Sequence, residues 1–334
     1  MAGDLSERSA AALRRFARPL LIFGIACLVF VGGRIVSDAL PSWRAAQSLL
    51  TLSLFVAVLA LGQGLVMLTG GLDLSVPGVI ALSATMTALT TDEYGWNMGV
   101  AIVLALLSAA GVGLFNGLIV VKFDVPAFIV TLAVNGILVG LTVGWTFGRE
   151  SPPAPESLFT TFSGSGKLGG VSLPVFFLIA AVIFGYVLQM KSRVGRETYL
   201  VGSSPTAARI VGRPVDWILV GVYGICGLGA GVAGVMLLGF SANAQLDLGT
   251  EWLIPSISAV LVGGTIIGSG RGDWLSTVAA ALLLTTITVV IGATGFSQGW
   301  KSVLYGAVVI VALLSTRLSM SAFRRRRSQP ARTP

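Results

Sequence analysis

The chain has 334 residues, 54% of them hydrophobic and only 11% charged, with a formal net charge of +8 and a mean hydropathy of +0.89. That balance excludes a soluble globular domain. The absence of histidine removes the commonest general base and the commonest transition-metal ligand, so neither a catalytic centre nor a metal site is expected. The apolar runs are continuous rather than alternating, which selects membrane-spanning helices over a lipid-facing barrel. The expected fold is all-α, a polytopic membrane helical bundle.

In chain order, Arg8, Arg14, Arg15 and Arg18 make residues 1–19 a basic tail ahead of an apolar run over 20–38. A cleaved leader fits the same pattern, but "SDA" at 37–39 is a poor cleavage site, and an uncleaved span is expected. Further runs follow at 49–69, 74–91, 98–121, 125–147, 172–190, 216–239, 254–268, 273–293 and 300–318, ten candidates in all. Residues 254–268 fall short of the roughly 20 needed to cross, so the expectation is eight to ten spans, with this one broken or re-entrant.

Basic residues cluster at three places: the first tail, then Lys191, Arg193, Arg196, Arg209 and Arg213 between the sixth and seventh runs, then Arg317 and Arg324 to Arg327 with Arg332 after the last. The positive-inside bias makes all three cytoplasmic. Six and then four crossings satisfy that, and put both termini in the cytoplasm. Residues 20–318 form the membrane domain, 191–215 a cytoplasmic loop within it, and 319–334 a basic, disordered tail. The positive charge thus reads as membrane orientation and not as nucleic-acid binding. Cys27 and Cys226 lie within apolar runs and are expected to behave as small buried hydrophobes. Glycines within the spans, as in "GVGLFNG" and "GLGAGVAGV", suit close helix packing in lipid.

Two motifs need separate reading. "SGSGKLGG" at 163–170 resembles a phosphate-binding loop but fails the pattern, with Thr161 where a glycine is required and Leu168 where Ser or Thr is required, so the chain itself binds no ATP. In "TGGLDLSVPGV" (69–79), Gly70 and Gly71 can end one helix, and Ser75 can cap the next with Pro77 in its first turn. Asp73 in that tight hairpin accepts from exposed backbone N–H groups near the positive end of the following helix; its alternative is a pathway or coupling carboxylate.

In "GRETYLVGSSPTAARIVGRPV" (195–215), Ser204 is an N-cap, Pro205 suits the first helical position, and Gly212 with Pro214 stops the helix. A short capped helix therefore projects from the inner face, either lying on its own protein or docking a cytoplasmic partner.

These segments, together with "FNGLIVVKFDVPAFIVTL" and "ISAVLVGGTIIGSGRGDW", resemble the permease subunits of bacterial ABC importers for monosaccharides of the ribose, xylose and galactose type, over roughly residues 45–315. The resemblance implies a dimer with a second permease copy or a related permease, a cytoplasmic ATPase that binds the ATP and magnesium, a periplasmic sugar-binding protein, and residence in the bacterial inner membrane. It also implies that Gly195, Gly202, Pro205, Ala207, Ala208, Arg209 and Gly212 belong to the helix that couples to the ATPase. Departures from the family pattern are Pro77 for Gly, Ser204 for Asn, and the less usual Arg213 and Trp274.

For the solute path, polar and aromatic residues inside the spans are the candidates: Gln63, Asn116, Phe128, Asn135 and Trp145. Each can serve instead as interhelical glue. The competing function is an ion-coupled secondary transporter using Asp73, Asp247 or Glu251. The last two lie outside the apolar runs, which makes them poor midplane sites.

Overall fold

The computed structural model describes residues 2–146, 151–295, 299–300, 303–307 and 310, with only the backbone of 2–15. Among the residues described up to Ala293, twelve α-helices follow one another with little strand: α1 (Ala2–Gly32), α2 (Trp43–Leu68), α3 (Val76–Asp92), α4 (Met98–Phe123), α5 (Ala127–Thr146), α6 (Glu156–Phe162), α7 (Leu173–Tyr186), α8 (Arg193–Ser203), α9 (Pro205–Ile210), α10 (Val215–Ser241), α11 (Thr250–Val262) and α12 (Trp274–Ala293). Among the described residues seven helices are long and apolar enough to cross a membrane. The protein is all-α and polytopic.

The sequence places α3 and α11 among the spans, but they are shorter, at 17 and 13 residues. At 1.5 Å per residue α11 is only about 20 Å long, as expected of a broken segment. The tenth apolar run, 300–318, lies largely outside the described residues, and the 319–334 tail wholly so. The backbone of residues 2–19 is helical, forming the first turns of α1 and running into the first span through Pro19. The glycine-rich 163–170 stretch leads into a two-stranded hairpin, β1 (Lys167–Leu168) against β2 (Val171–Ser172), which is no phosphate loop.

α2 and α10 form the centre. Nearly every side chain of α2 from Ser53 to Leu68 is buried, and α10 is buried along most of its length. α4 wraps α10 with one inward stripe, Ala101, Ala105, Ala109 and Gly113, while Val103, Leu107, Leu114 and Phe115 face outward. Small residues inward and large apolar ones outward are what lipid demands, since packing, not burial from water, joins the helices. At Gly113 a Cβ would run into the carbonyl of Tyr223 on α10.

Cys226 is buried here as expected, but Cys27 is exposed on α1. The sequence reading of both cysteines as buried is corrected for Cys27: a span can turn an apolar face outward, so membership of an apolar run does not imply burial.

Candidate functional site

The hairpin between α2 and α3 gathers buried polar groups in the bundle interior, Gln63, Asp73, Ser75, Asn116 and Thr131. Gly70 has φ +98, the left-handed turn that ends α2. Asp73 and Ser75 are fully buried. Asp73 Oδ1 accepts from Ser75 N at 2.9 Å and from Ser75 Oγ at 2.5 Å. Gln63 Nε2 donates to the Asp73 carbonyl at 2.6 Å. Leu74 N donates to Thr131 Oγ1 at 3.0 Å and Gly78 N to Asn135 Oδ1 at 2.8 Å, both acceptors on α5. Asn116 Nδ2 on α4 donates to Ser75 Oγ at 2.8 Å.

The physical reason is depth. Asn116 precedes the end of α4 at Phe123 by seven residues, about 10 Å along a helix, so the hairpin is sunk below the bundle end. Non-helical backbone at such depth persists only where protein satisfies its N–H and C=O groups. α2 and α5 supply those partners, and α4 holds the Ser75 side chain through Asn116. One expectation changes: Ser75 holds the N-cap position of α3, but its side chain makes no capping bond. Its hydroxyl is engaged by Asp73 and Asn116, and Asn135 serves the first turn of α3 instead. Gly71 sits where a Cβ would collide with the Tyr223 hydroxyl. Asp73 Oδ2, Asn116 Oδ1 and the Tyr223 hydroxyl are buried with no hydrogen-bond partner among the described residues.

A second turn follows α11. Ile266 and Arg271 bridge across it, and the Asp273 carboxylate caps α12 by accepting from Ser276 N at 2.8 Å. This turn lies on the end of α2: Gly268 N donates to Met67 O at 3.0 Å and Gly270 N to Leu68 O at 3.3 Å. Two broken helix pairs, α2–α3 and α11–α12, are therefore joined through backbone.

The α8–α9 segment rests on that junction. Tyr199 Oη donates to Gly272 O at 2.8 Å. A Cβ on Gly202 would strike Leu68 O, and one on Gly195 would strike Gln189 O, so both glycines seat α8 on the bundle and offer nothing outward. Ser204 Oγ accepts from Ala207 N at 3.2 Å, with Pro205 opening α9 and Gly212 at φ +75 ending its exit turn. Ala208 is fully buried with Val201 and Val215. Pro205, Ala207 and Arg209 are exposed, and Arg209 pairs with Asp216 at 2.7 Å.

The sequence reading missed Ile210 and Val211, which are 81% and 64% exposed at the end of α9. The signal was there, two β-branched apolar residues immediately before a stop glycine on a helix that had been read as projecting. The two unusual residues gain roles. Arg213 pairs with Glu197 at 3.4 Å. Trp274 is buried against Gly185, its indole N–H donating to Val182 O at 2.8 Å.

Of the path candidates, Gln63 and Asn116 are fully buried and committed to the hairpin. Asn135 is half-buried and bonded to Gly78, while Phe128 and Trp145 are exposed on the outer face of α5. Asp247 and Glu251 are exposed near the start of α11, away from the interior. Among the described residues no group of His, Cys, Asp and Glu could hold a metal ion.

Long apolar helices around two clasped, discontinuous helix pairs define a multi-pass membrane protein of the kind that transport proteins build. The chain belongs to the family described as branched-chain amino acid transport system / permease component, whose model matches residues 45–313. It is 32% identical over 286 residues to the ribose import permease protein RbsC of Bacillus subtilis (strain 168), covering 85% of this chain and 88% of that protein. To the RbsC of Escherichia coli (strain K12) it is 32% identical over 296 residues, 87% and 91% of the two chains. To the autoinducer 2 import system permease protein LsrD of Klebsiella pneumoniae it is 30% identical over 270 residues, 79% and 81%. No solved structure matches the chain.

Proposed function

We propose that this chain is the membrane-spanning permease subunit of an ABC importer for a monosaccharide or a related small polyol, residing in the bacterial inner membrane. The observation that carries the reading is the match along most of the chain to import permeases for two small hydroxylated solutes, ribose and autoinducer 2. The chain is a translocation subunit; ATP and magnesium belong to a partner ATPase, the solute arrives on a periplasmic binding protein, and a second permease completes the pathway.

In this reading the chain crosses ten times, with α3 and α11 as short crossings, both termini in the cytoplasm, and α8–α9 on the cytoplasmic face. The basic residues Lys191, Arg193, Arg196, Arg209 and Arg213 at that end support the orientation. Pro205, Ala207, Arg209, Ile210 and Val211 make the docking surface for the ATPase. Gly195, Gly202, Ala208 and Gly212 hold that surface in place.

Coupling runs through contiguous backbone. ATPase closure displaces α9, α8 moves with it, and Tyr199 and Gly202 bear on the 263–272 turn and on Leu68. That turn is hydrogen-bonded to Met67 and Leu68, the last residues before the buried hairpin. The two broken helix pairs then shift together between inward- and outward-facing arrangements. Phe128, Asn135 and Trp145 on α5 are the path candidates that the hairpin does not bury, and Gln63 and Asn116 act on the path by fixing the hairpin.

The test is a mild-detergent pull-down of the tagged chain from its native membranes with mass spectrometry of the retained proteins. A nucleotide-binding subunit in stoichiometric amount is expected. A chain recovered alone in several detergents would remove the docking role of α9.

A further inference from the structure

The outer surface between α2, α7 and α10 holds a cleft of about 400 Å³ lined only by apolar side chains. Leu61, Gly62 and Trp274 line it on the bundle side, and Phe177, Phe184 and Leu228 stand exposed at its sides. Ile225 also lines a second hollow of about 250 Å³, whose other walls include Val194, Pro214, Trp217 and Ile218 with one charged residue, Glu197. Trp217 is 72% exposed, the placing of an interfacial anchor.

Four cations stand around Glu197 in the chain, Lys191, Arg193 and Arg196 before it and Arg213 after it. Leu188 lines it, and Lys191 closes the same helical segment with its ammonium 5.9 Å from the Tyr186 ring centre. Arg196 donates to Lys191 O at 2.7 Å. Arg193 and Arg213 share Glu197 at 2.8 Å and 3.4 Å, while the neighbouring Asp216 is paired with Arg209. With Asp216 matched by Arg209, these four cations exceed Glu197 and leave the surroundings of the second hollow positively charged.

From this we propose that the groove is a binding site for one anionic phospholipid, its acyl chain in the α2–α7–α10 cleft, its glycerol beside Trp217, and its phosphate among Lys191, Arg193, Arg196 and Arg213. Size favours a lipid chain inside the cleft: a whole helix, about 10–12 Å across, could only cover a cleft of about 400 Å³, whereas a single acyl chain is of that scale. Charge decides the headgroup, because basic pockets between spans on the cytoplasmic side attract anionic lipid phosphates. The site abuts α8, so an occupied groove braces the segment that receives the ATPase. The proposal rests on the cytoplasmic placing of α8–α9.

The experiment uses the purified chain without its ATPase, so its failure is separate from failure of the importer reading. Delipidated protein is titrated with dioleoylphosphatidylglycerol or dioleoylphosphatidylcholine, and bound lipid is counted by native mass spectrometry. One phosphatidylglycerol per chain, held at least tenfold more tightly than phosphatidylcholine, is expected. Filling the cleft with Gly229→Leu and Ala181→Phe should abolish retention while gel filtration stays monodisperse. Lys191→Gln with Arg196→Gln should erase the headgroup preference and leave chain binding. Absence of a retained lipid, or equal retention of the two headgroups by the unaltered chain, overturns the proposal. So does efficient Ala180→Cys cross-linking between two copies in native membranes, which would mean that protein covers the cleft.

Discussion

Replacing Asp73 separates a structural carboxylate from a working one. In Asp73→Ala the acceptor for Ser75 N and Ser75 Oγ disappears, and both donors are fully buried. A buried donor left unmet costs about 1–3 kcal/mol, so the pair costs about 2–6 kcal/mol, nearer the lower end because the hydroxyl can rotate. Asp73→Asn keeps an oxygen at the Oδ1 position and should cost only about 0.5–1.5 kcal/mol, the value of an ordinary hydrogen bond. Thermal unfolding in detergent, read by fluorescence-detected gel filtration, should place Asp73→Ala well below the unaltered chain and Asp73→Asn close to it. Uptake should follow the same order. An Asp73→Ala variant as stable as the unaltered chain refutes the role of the carboxylate in holding the hairpin. An Asp73→Asn variant that folds and recruits its ATPase but does not transport makes the charge itself part of coupling.

Ala207→Arg and Ile210→Asp, both on the exposed side of α9, should lower ATPase affinity by about tenfold or more without moving the unfolding midpoint, as expected for docking anchors. Ala208→Glu, at a fully buried position, should instead destabilise the segment. Ser204→Ala removes the cap of α9 at a cost of about 0.5–2 kcal/mol, visible as faster amide exchange across 205–210. Gly113→Leu forces a side chain against the Tyr223 carbonyl and should cost about 1–3 kcal/mol or more. Gly111→Leu on the open side of the same helix, with no neighbour within 4 Å, should leave stability unchanged. Equal unfolding midpoints for those two variants would contradict the α4–α10 packing.

What sequence could reveal here followed what each signal depends on. Spans were legible because length and apolarity are local, and so was α9, whose cap, proline and stop glycine lie within nine residues. Asp73 was legible as a hairpin acceptor for the same reason. The partners of the hairpin were not: Asn116 and Asn135 lie 41 and 57 residues from the groups they bond. A polar residue in a span reads equally as path lining or as glue until the fold brings its partner near. Gly202 and Gly195 were singled out only by the family resemblance, and it is the packing that shows that they seat α8. Cys27 misled because an apolar run does not say which face meets lipid.

The most direct test of the import reading is uptake into proteoliposomes holding the chain, its ATPase and internal ATP, with the binding protein outside and a panel of labelled monosaccharides. A permease of this kind predicts uptake that requires the ATPase and the binding protein and survives a protonophore while ATP is held constant. Uptake that persists without the ATPase and collapses with the protonophore would contradict it, and would make this chain an ion-coupled transporter.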